Sequence, residues 1–159
     1  MATRRPVDAQ MNRTVLAVLL VVLACAVVVI ITLAARPSGG LTVPKGSAVV
    51  HVDEHDFGID VKQTQLHAGN YVFVDSNHGP SQHELVMWKT KDAADALPRD
   101  GNDVNEDSSA LESVLDSGSS LAPGETRLLT ANLVPGHYVI VCNLPGHYHA
   151  GMHVDITVT

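Results

Sequence analysis

From Ala48 onward the sequence is a succession of short alternating or β-branched runs, most of them closed by a turn signal. The runs are about 48–53 (AVVHVD), 57–62 (FGIDVK), 70–75 (NYVFVD), 83–90 (HELVMWKT), 125–133 (ETRLLTANL), 136–142 (GHYVIVC) and 152–158 (MHVDITV). Between them stand His67-Ala68-Gly69-Asn70, Asn77-His78-Gly79-Pro80, Ala122-Pro123-Gly124-Glu125, Val134-Pro135-Gly136 and Leu144-Pro145-Gly146. Pro presets φ and Gly admits positive φ, so each cluster reverses the chain. Seven short runs punctuated in this way predict an all-β fold, an antiparallel β-sandwich. A chain of 159 residues has room for one such domain and one appended element.

One stretch breaks the rhythm. Residues 91–120 carry Asp92, Asp95, Asp100, Asp103, Glu106, Asp107, Glu112 and Asp116, against Lys91 and Arg99 as the only cations. They read as an acidic insertion between two strands. Within it AADALP suits a single helical turn. SSALESVLDSG sets Leu111, Val114 and Leu115 at helical spacing, which predicts a short helix ending near Gly118. The acidity is that of a solvated surface.

The appended element is Val15 to Ala35, 21 residues without a charge. As a helix it reaches about 31 Å, the thickness of a bilayer's hydrocarbon. Arg4, Arg5 and Arg13 precede it, so residues 1–14 are expected in the cytoplasm and the rest outside. The expectation is a single-pass cell-membrane protein with an extracytoplasmic C-terminal domain. The run is longer than the apolar part of a signal peptide, which favours an uncleaved anchor over a cleaved signal. Cys25 reads as a small apolar residue of that helix, and residues 36–47 (RPSGGLTVPKGS) as a flexible linker to a domain spanning 48–159.

The chain has ten Lys and Arg against seventeen Asp and Glu. Setting aside Arg4, Arg5, Arg13, Arg36 and Asp8 leaves six against sixteen, which argues against nucleic acid as a partner. It suits a basic partner surface or plain solubility. With Cys25 in the membrane, Cys142 is the sole thiol of the exported domain and has no cysteine to pair with.

Cys142 opens the densest chemical stretch of the chain, CNLPGHYHAGMHV. His147 follows five residues later and Met152 five beyond that. Pro145, Gly146 and Gly151 make the stretch a turning loop between two strands, able to aim its side chains at one point. A thiolate and imidazoles in a plane, with a thioether as weak axial donor, form the ligand set of copper that cycles between Cu(I) and Cu(II). A second in-plane imidazole must come from elsewhere. His83 is the best candidate, at the end of the loop SNHGPSQHELVM. His78 in the same loop is the alternative, although its place in Asn77-His78-Gly79-Pro80 suits an exposed turn. His153 alternates to the face opposite Met152, and His149 reads as a surface residue. His51 and His55 read as surface strand residues, His67 and His137 as turn residues, and Trp88 and Tyr138 as core.

SQHELVM, followed by APGE and LVPGHYVIVCNLPGHYHAGMHVDITV, resembles the cupredoxins, the type 1 blue copper proteins. The likeness covers about 48–90 and 121–159, with LHAGNYVFV similar to the family's early strands. Within the family, the loop spacing is most like that of sulfocyanin and rusticyanin. The resemblance implies an eight-stranded Greek-key sandwich and one mononuclear type 1 copper. It maps the ligands onto His83, Cys142, His147 and Met152, and it implies outer-sphere electron transfer. Many members carry Asn or Ser after the first His, where this chain has Glu84. An ionised carboxylate cannot donate, so Glu84 turns to solvent or Asn143 ties the ligand loops.

Zinc fits this donor set poorly, because Met is not among its usual ligands, and a binuclear copper centre needs a second loop cysteine. The expected function is therefore a membrane-tethered electron carrier serving redox partner proteins such as a membrane oxidase or cytochrome. His147 is expected at the surface, with Leu144, Pro145, Tyr148 and Pro80 as its docking rim. A copper-handling role, as chaperone or sink, is the alternative. An enzyme is not expected, because four protein ligands leave no open position for substrate.

Overall fold

The structure is a computed structural model that describes residues 41–159. The expected anchor at 15–35 and the N-terminus before it lie outside the described residues. Among the described residues no helix is long and apolar enough to cross a membrane.

All seven expected runs form strands. Strands β1 (Ala48–His55), β2 (Gly58–Val61), β4 (Gly69–Asn77) and β9 (Thr126–Leu133) make one sheet, in the order β2-β1-β4-β9. A second sheet runs β3-β11-β10-β5-β8, from β3 (Gln65–Leu66), β5 (Val86–Lys89), β8 (Glu112–Asp116), β10 (Gly136–Val141) and β11 (His153–Val158). Period-two alternation sends Val50 and Val52 of β1 and Phe73 of β4 inward. There they meet Met87, Tyr138, Ile140 and Ile156 of the other sheet in one buried core.

Two expectations need correcting. The sandwich is mixed rather than antiparallel, because β1 pairs in parallel with β4 and β3 with β11. The chain leaves β1 through the β2 hairpin, crosses to the second sheet as β3, and returns beside β1 in the original direction. The strand count is eleven among the described residues, because β3, β8 and a small hairpin in the insertion join the expected set.

The insertion is also more strand-like than its spacing implies. A 3-10 turn forms at Ala94–Ala96, as AADALP suggests. The helix expected around Leu111, Val114 and Leu115 is instead β8, antiparallel to β5 with a bulge between Met87 and Trp88. Leu115 enters the sandwich core while Leu111 packs on a second cluster, so tertiary pairing overrides a weak helical pattern. That second cluster joins Val86, Trp88, Val139 and Val141 to Ala94, Leu97, Val104 and Tyr148. The insertion, with its hairpin β6 (Arg99–Asp100) and β7 (Asp103–Val104), thus covers the outer face of the second sheet. This explains why β10 is buried from Tyr138 to Val141 with no polar alternation.

Candidate metal centre

His83 is delivered by the loop after β4. Asn77 organises that loop: its Nδ2 donates to the carbonyls of Ser81 and Leu121, both at 2.8 Å, and its Oδ1 accepts from Gly79 N–H. His83 then exchanges backbone hydrogen bonds with Leu121, which fixes it at the sandwich rim with no solvent exposure.

The second segment begins where β10 ends. Cys142 is fully buried, its N–H donating to the Met152 carbonyl at 3.1 Å. His147 N–H bonds the Leu144 carbonyl, and Met152 N–H bonds the His147 carbonyl. These three bonds close the loop on itself. Gly146 (φ +82°) and Gly151 (φ +109°) take the positive-φ turns that a β-carbon would oppose. Met152 is fully buried in the same core cluster as Cys142.

The two segments bring three donors together. Cys142 Sγ lies 3.3 Å from His147 Nδ1 and 4.0 Å from His83 Nδ1, and the two imidazole nitrogens are 3.3 Å apart. The point equidistant from all three lies about 2.1 Å from each, close to the bond lengths of d-block metals with N and S donors. His78, the alternative, is exposed, its Nε2 3.1 Å from Asp53 Oδ1. Among the described residues, His83, Cys142 and His147 are the only such donor group.

Their electrostatics suit a metal. Burial holds His83 below the usual imidazole range, with the Asp56 hydrogen bond opposing it, so a neutral ring offers its Nδ1 lone pair. Burial pushes the Cys142 thiol up to about 12, so without a cation the sulfur keeps its proton. Its Sγ accepts from Glu84 N–H at 3.4 Å and from Leu144 N–H, donors that favour the thiolate.

Of the two alternatives drawn, the tie from Asn143 is the one that describes the place of Glu84, made through the backbone N–H and not the side chain. Its half-buried carboxylate accepts from the Asn143 backbone N–H, so it ties the two ligand segments as an acceptor. The Asn143 side chain meanwhile turns to the insertion, bonding Val104 N–H at 2.7 Å and Val104 O at 3.2 Å.

The residues expected around His147 are only partly exposed. Pro80 and Pro145 are exposed and Leu144 is half-buried, but Tyr148 is 1% exposed, anchored by its hydroxyl to Ala94 O and Leu97 N–H. The sequence reading missed Phe57, which is 54% exposed with its ring edge-on to His147 at 5.5 Å between centroids. It also missed Asp56, whose Oδ1 is 3.0 Å from His83 Nε2. Both follow β1, far along the chain from the ligand segments, and no local pattern marks them. His149 is exposed, and His153 lies against the Tyr148 ring.

Residues 41–159 match the family described as copper binding proteins, plastocyanin/azurin family. Among solved structures, dithionite-reduced auracyanin from Roseiflexus castenholzii is similar at 23% identity and a TM-score of 0.54, over 71% of this chain and 98% of that one. Auracyanin A, a blue copper protein from Chloroflexus aurantiacus, gives 21% and 0.53 over 72% and 100%. Reduced rusticyanin gives 21% and 0.50 over 78% and 87%. These likenesses carry the fold. A search of curated proteins returns no match.

Proposed function

The chain belongs to the plastocyanin/azurin family of copper-binding proteins, and from that premise we propose that it carries single electrons on one mononuclear copper held by His83, Cys142, His147 and Met152. The observation that supports this most directly is the buried donor triangle of two imidazole nitrogens and one sulfur, with a buried methionine hydrogen-bonded through its backbone to both Cys142 and His147. Copper in such a site supplies a one-electron Cu(I)/Cu(II) couple.

The protein's own part is to hold the donors still. His83 is pinned by its backbone bridge to Leu121, Cys142 follows directly on β10 of a packed sandwich, and backbone bonds fix the loop that carries His147 and Met152. Little rearrangement then accompanies a change in charge. His147 is half-buried, with the exposed Phe57 ring edge-on to it, and its ring is the route by which electrons enter and leave. Four protein donors leave no position for a substrate, so the chain is a carrier rather than an enzyme. Burial of Cys142 and Met152 opposes rapid metal release and disfavours copper handling.

The uncharged run at 15–35 completes the reading as a single-pass anchor that leaves the copper domain outside the cell membrane. A tethered carrier gains effective concentration toward a membrane oxidase or cytochrome. The test is an absorption spectrum of the copper-loaded full chain. We expect an intense thiolate-to-copper band and a reversible one-electron couple, both lost in Cys142→Ser. A wild-type chain that binds no copper, or binds it without that band, overturns the proposal.

A further inference from the structure

Beyond the donors, one charged side chain reaches the centre from outside both ligand segments. We propose that Asp56 is a positioning residue that fixes His83 as a ligand through Nδ1 and, by its negative charge, biases the bound copper toward Cu(II). The inference rests on the copper reading above and deepens it.

The pair is built from both sides. His83 Nε2 donates to Asp56 Oδ1 at 3.0 Å, leaving Nδ1 as the ring's free lone pair, 4.0 Å from Cys142 Sγ. Asp56 is itself held: Ser81 Oγ donates to its Oδ2 at 2.7 Å and Ser81 N–H to its Oδ1 at 3.3 Å. Ser81 is in turn fixed by Asn77, which binds its carbonyl. Gly79 sits in the gap, where a β-carbon would come within 2.6 Å of Asp56 Oδ1 and 2.9 Å of His83 Nε2. The His83 side chain has no solvent exposure and that of Asp56 only 20%, so water competes little for the bond. Three donors thus converge on the Asp56 carboxylate, two from Ser81 and one from His83, and leave it well satisfied as an anion.

A carboxylate accepting from a ligand imidazole fixes its tautomer and raises its basicity. A more basic ligand and a nearby negative charge both favour the higher-charged metal ion. Losing such a partner typically costs about 10-fold to 100-fold in metal affinity. A tenfold change in the Cu(II)-to-Cu(I) affinity ratio corresponds to about 59 mV for one electron.

Three variants of the full chain separate charge from shape. Asp56→Asn keeps an acceptor oxygen toward Nε2 and removes the charge, Asp56→Ala removes both, and Asp60→Asn removes an equal charge from an exposed neighbour. Asp56→Asn is expected to keep the thiolate-to-copper band and raise the reduction potential by about 59 mV or more, with Asp60→Asn close to wild type. On the metal-free protein, imidazole ¹⁵N NMR is expected to give His83 protonated at Nε2 in wild type and a tautomer mixture in Asp56→Ala. An Asp56→Asn potential no higher than that of Asp60→Asn, with the band intact, overturns the charge role and leaves the copper reading standing. An unchanged His83 tautomer in Asp56→Ala overturns the positioning role. A wild-type chain with no thiolate-to-copper band overturns the copper reading and this inference with it.

Discussion

At Gly79 the backbone passes so close to the Asp56–His83 pair that a single methyl group has no room. Gly79→Ala is therefore expected to lower stability by about 1–3 kcal/mol, the range for overpacking a fitted site, read as a lower urea midpoint. Cys142 supports a second expectation. Its thiol, pushed up to about 12 by burial, is protonated at neutral pH, whereas a metal takes the thiolate. Copper uptake should thus release about one proton per ion. Calorimetry in two buffers of different ionisation enthalpy measures it, and equal heats in both would contradict the assignment of Cys142. The ligands themselves were legible, because Cys142, His147 and Met152 share one loop whose spacing has a chemical meaning. Asp56 and Phe57 were not legible, because their role comes from where β1 ends in space. The sequence reading also put Tyr148 on the rim, since a turn-rich loop hides which of its side chains points inward.

The elements around the site divide into those that carry ligands and one that supports them. The insertion at 91–120 reads in sequence as a solvated acidic stretch, yet its apolar side is fastened to the ligand loop. Tyr148 OH donates to Ala94 O and accepts from Leu97 N–H, Asn143 clasps Val104, and Asp103 accepts from Gly146 N–H. Arg99 lies over the Tyr148 ring from outside. Tyr148→Phe leaves the Leu97 donor and Ala94 acceptor buried without their partner. The expected loss is about 1–3 kcal/mol, measured by chemical unfolding, with the thiolate-to-copper band retained because Tyr148 is not a donor. The seven main strands were readable because turn chemistry and alternation agree in them. β8 was not, because five residues with Val and Leu adjacent fit either period, and only the open edge of β5 decides between them.

Across the whole domain, an unusual group of charges sits in the core behind the donors. Glu54 and Asp75 are both fully buried, on paired strands, and Arg127 Nε donates to Asp75 Oδ2 at 2.7 Å. Burial, and then the Asp75 charge, raises the Glu54 carboxyl from 4.5 to about 9. Burial also raises Asp75, against its bond to Arg127. Between pH 5 and 9 the folded chain therefore keeps a proton that the unfolded chain has lost. Stability should fall as pH rises through that window, by at most about 1.4 kcal/mol per pH unit from Glu54. Glu54→Gln, neutral and of equal size, is expected to flatten the slope in pH-resolved denaturation curves. A slope as steep in the variant as in wild type would place the linked proton elsewhere. Nothing in HVDEHD announces this, since Glu54 alternates inward only once β1 has a register. The sandwich itself was legible from its punctuation, but not its parallel pairs, which depend on how the chain crosses between sheets. β11, finally, is an interior strand, flanked by β3 on one side and β10 on the other. Clipping the chain just before Met152 would do more than remove that side chain. It would bare the hydrogen-bonding edge of β10 in the middle of a sheet, an invitation to strand exchange between molecules. Damage at this end of the chain would thus convert the domain into a seed for self-association.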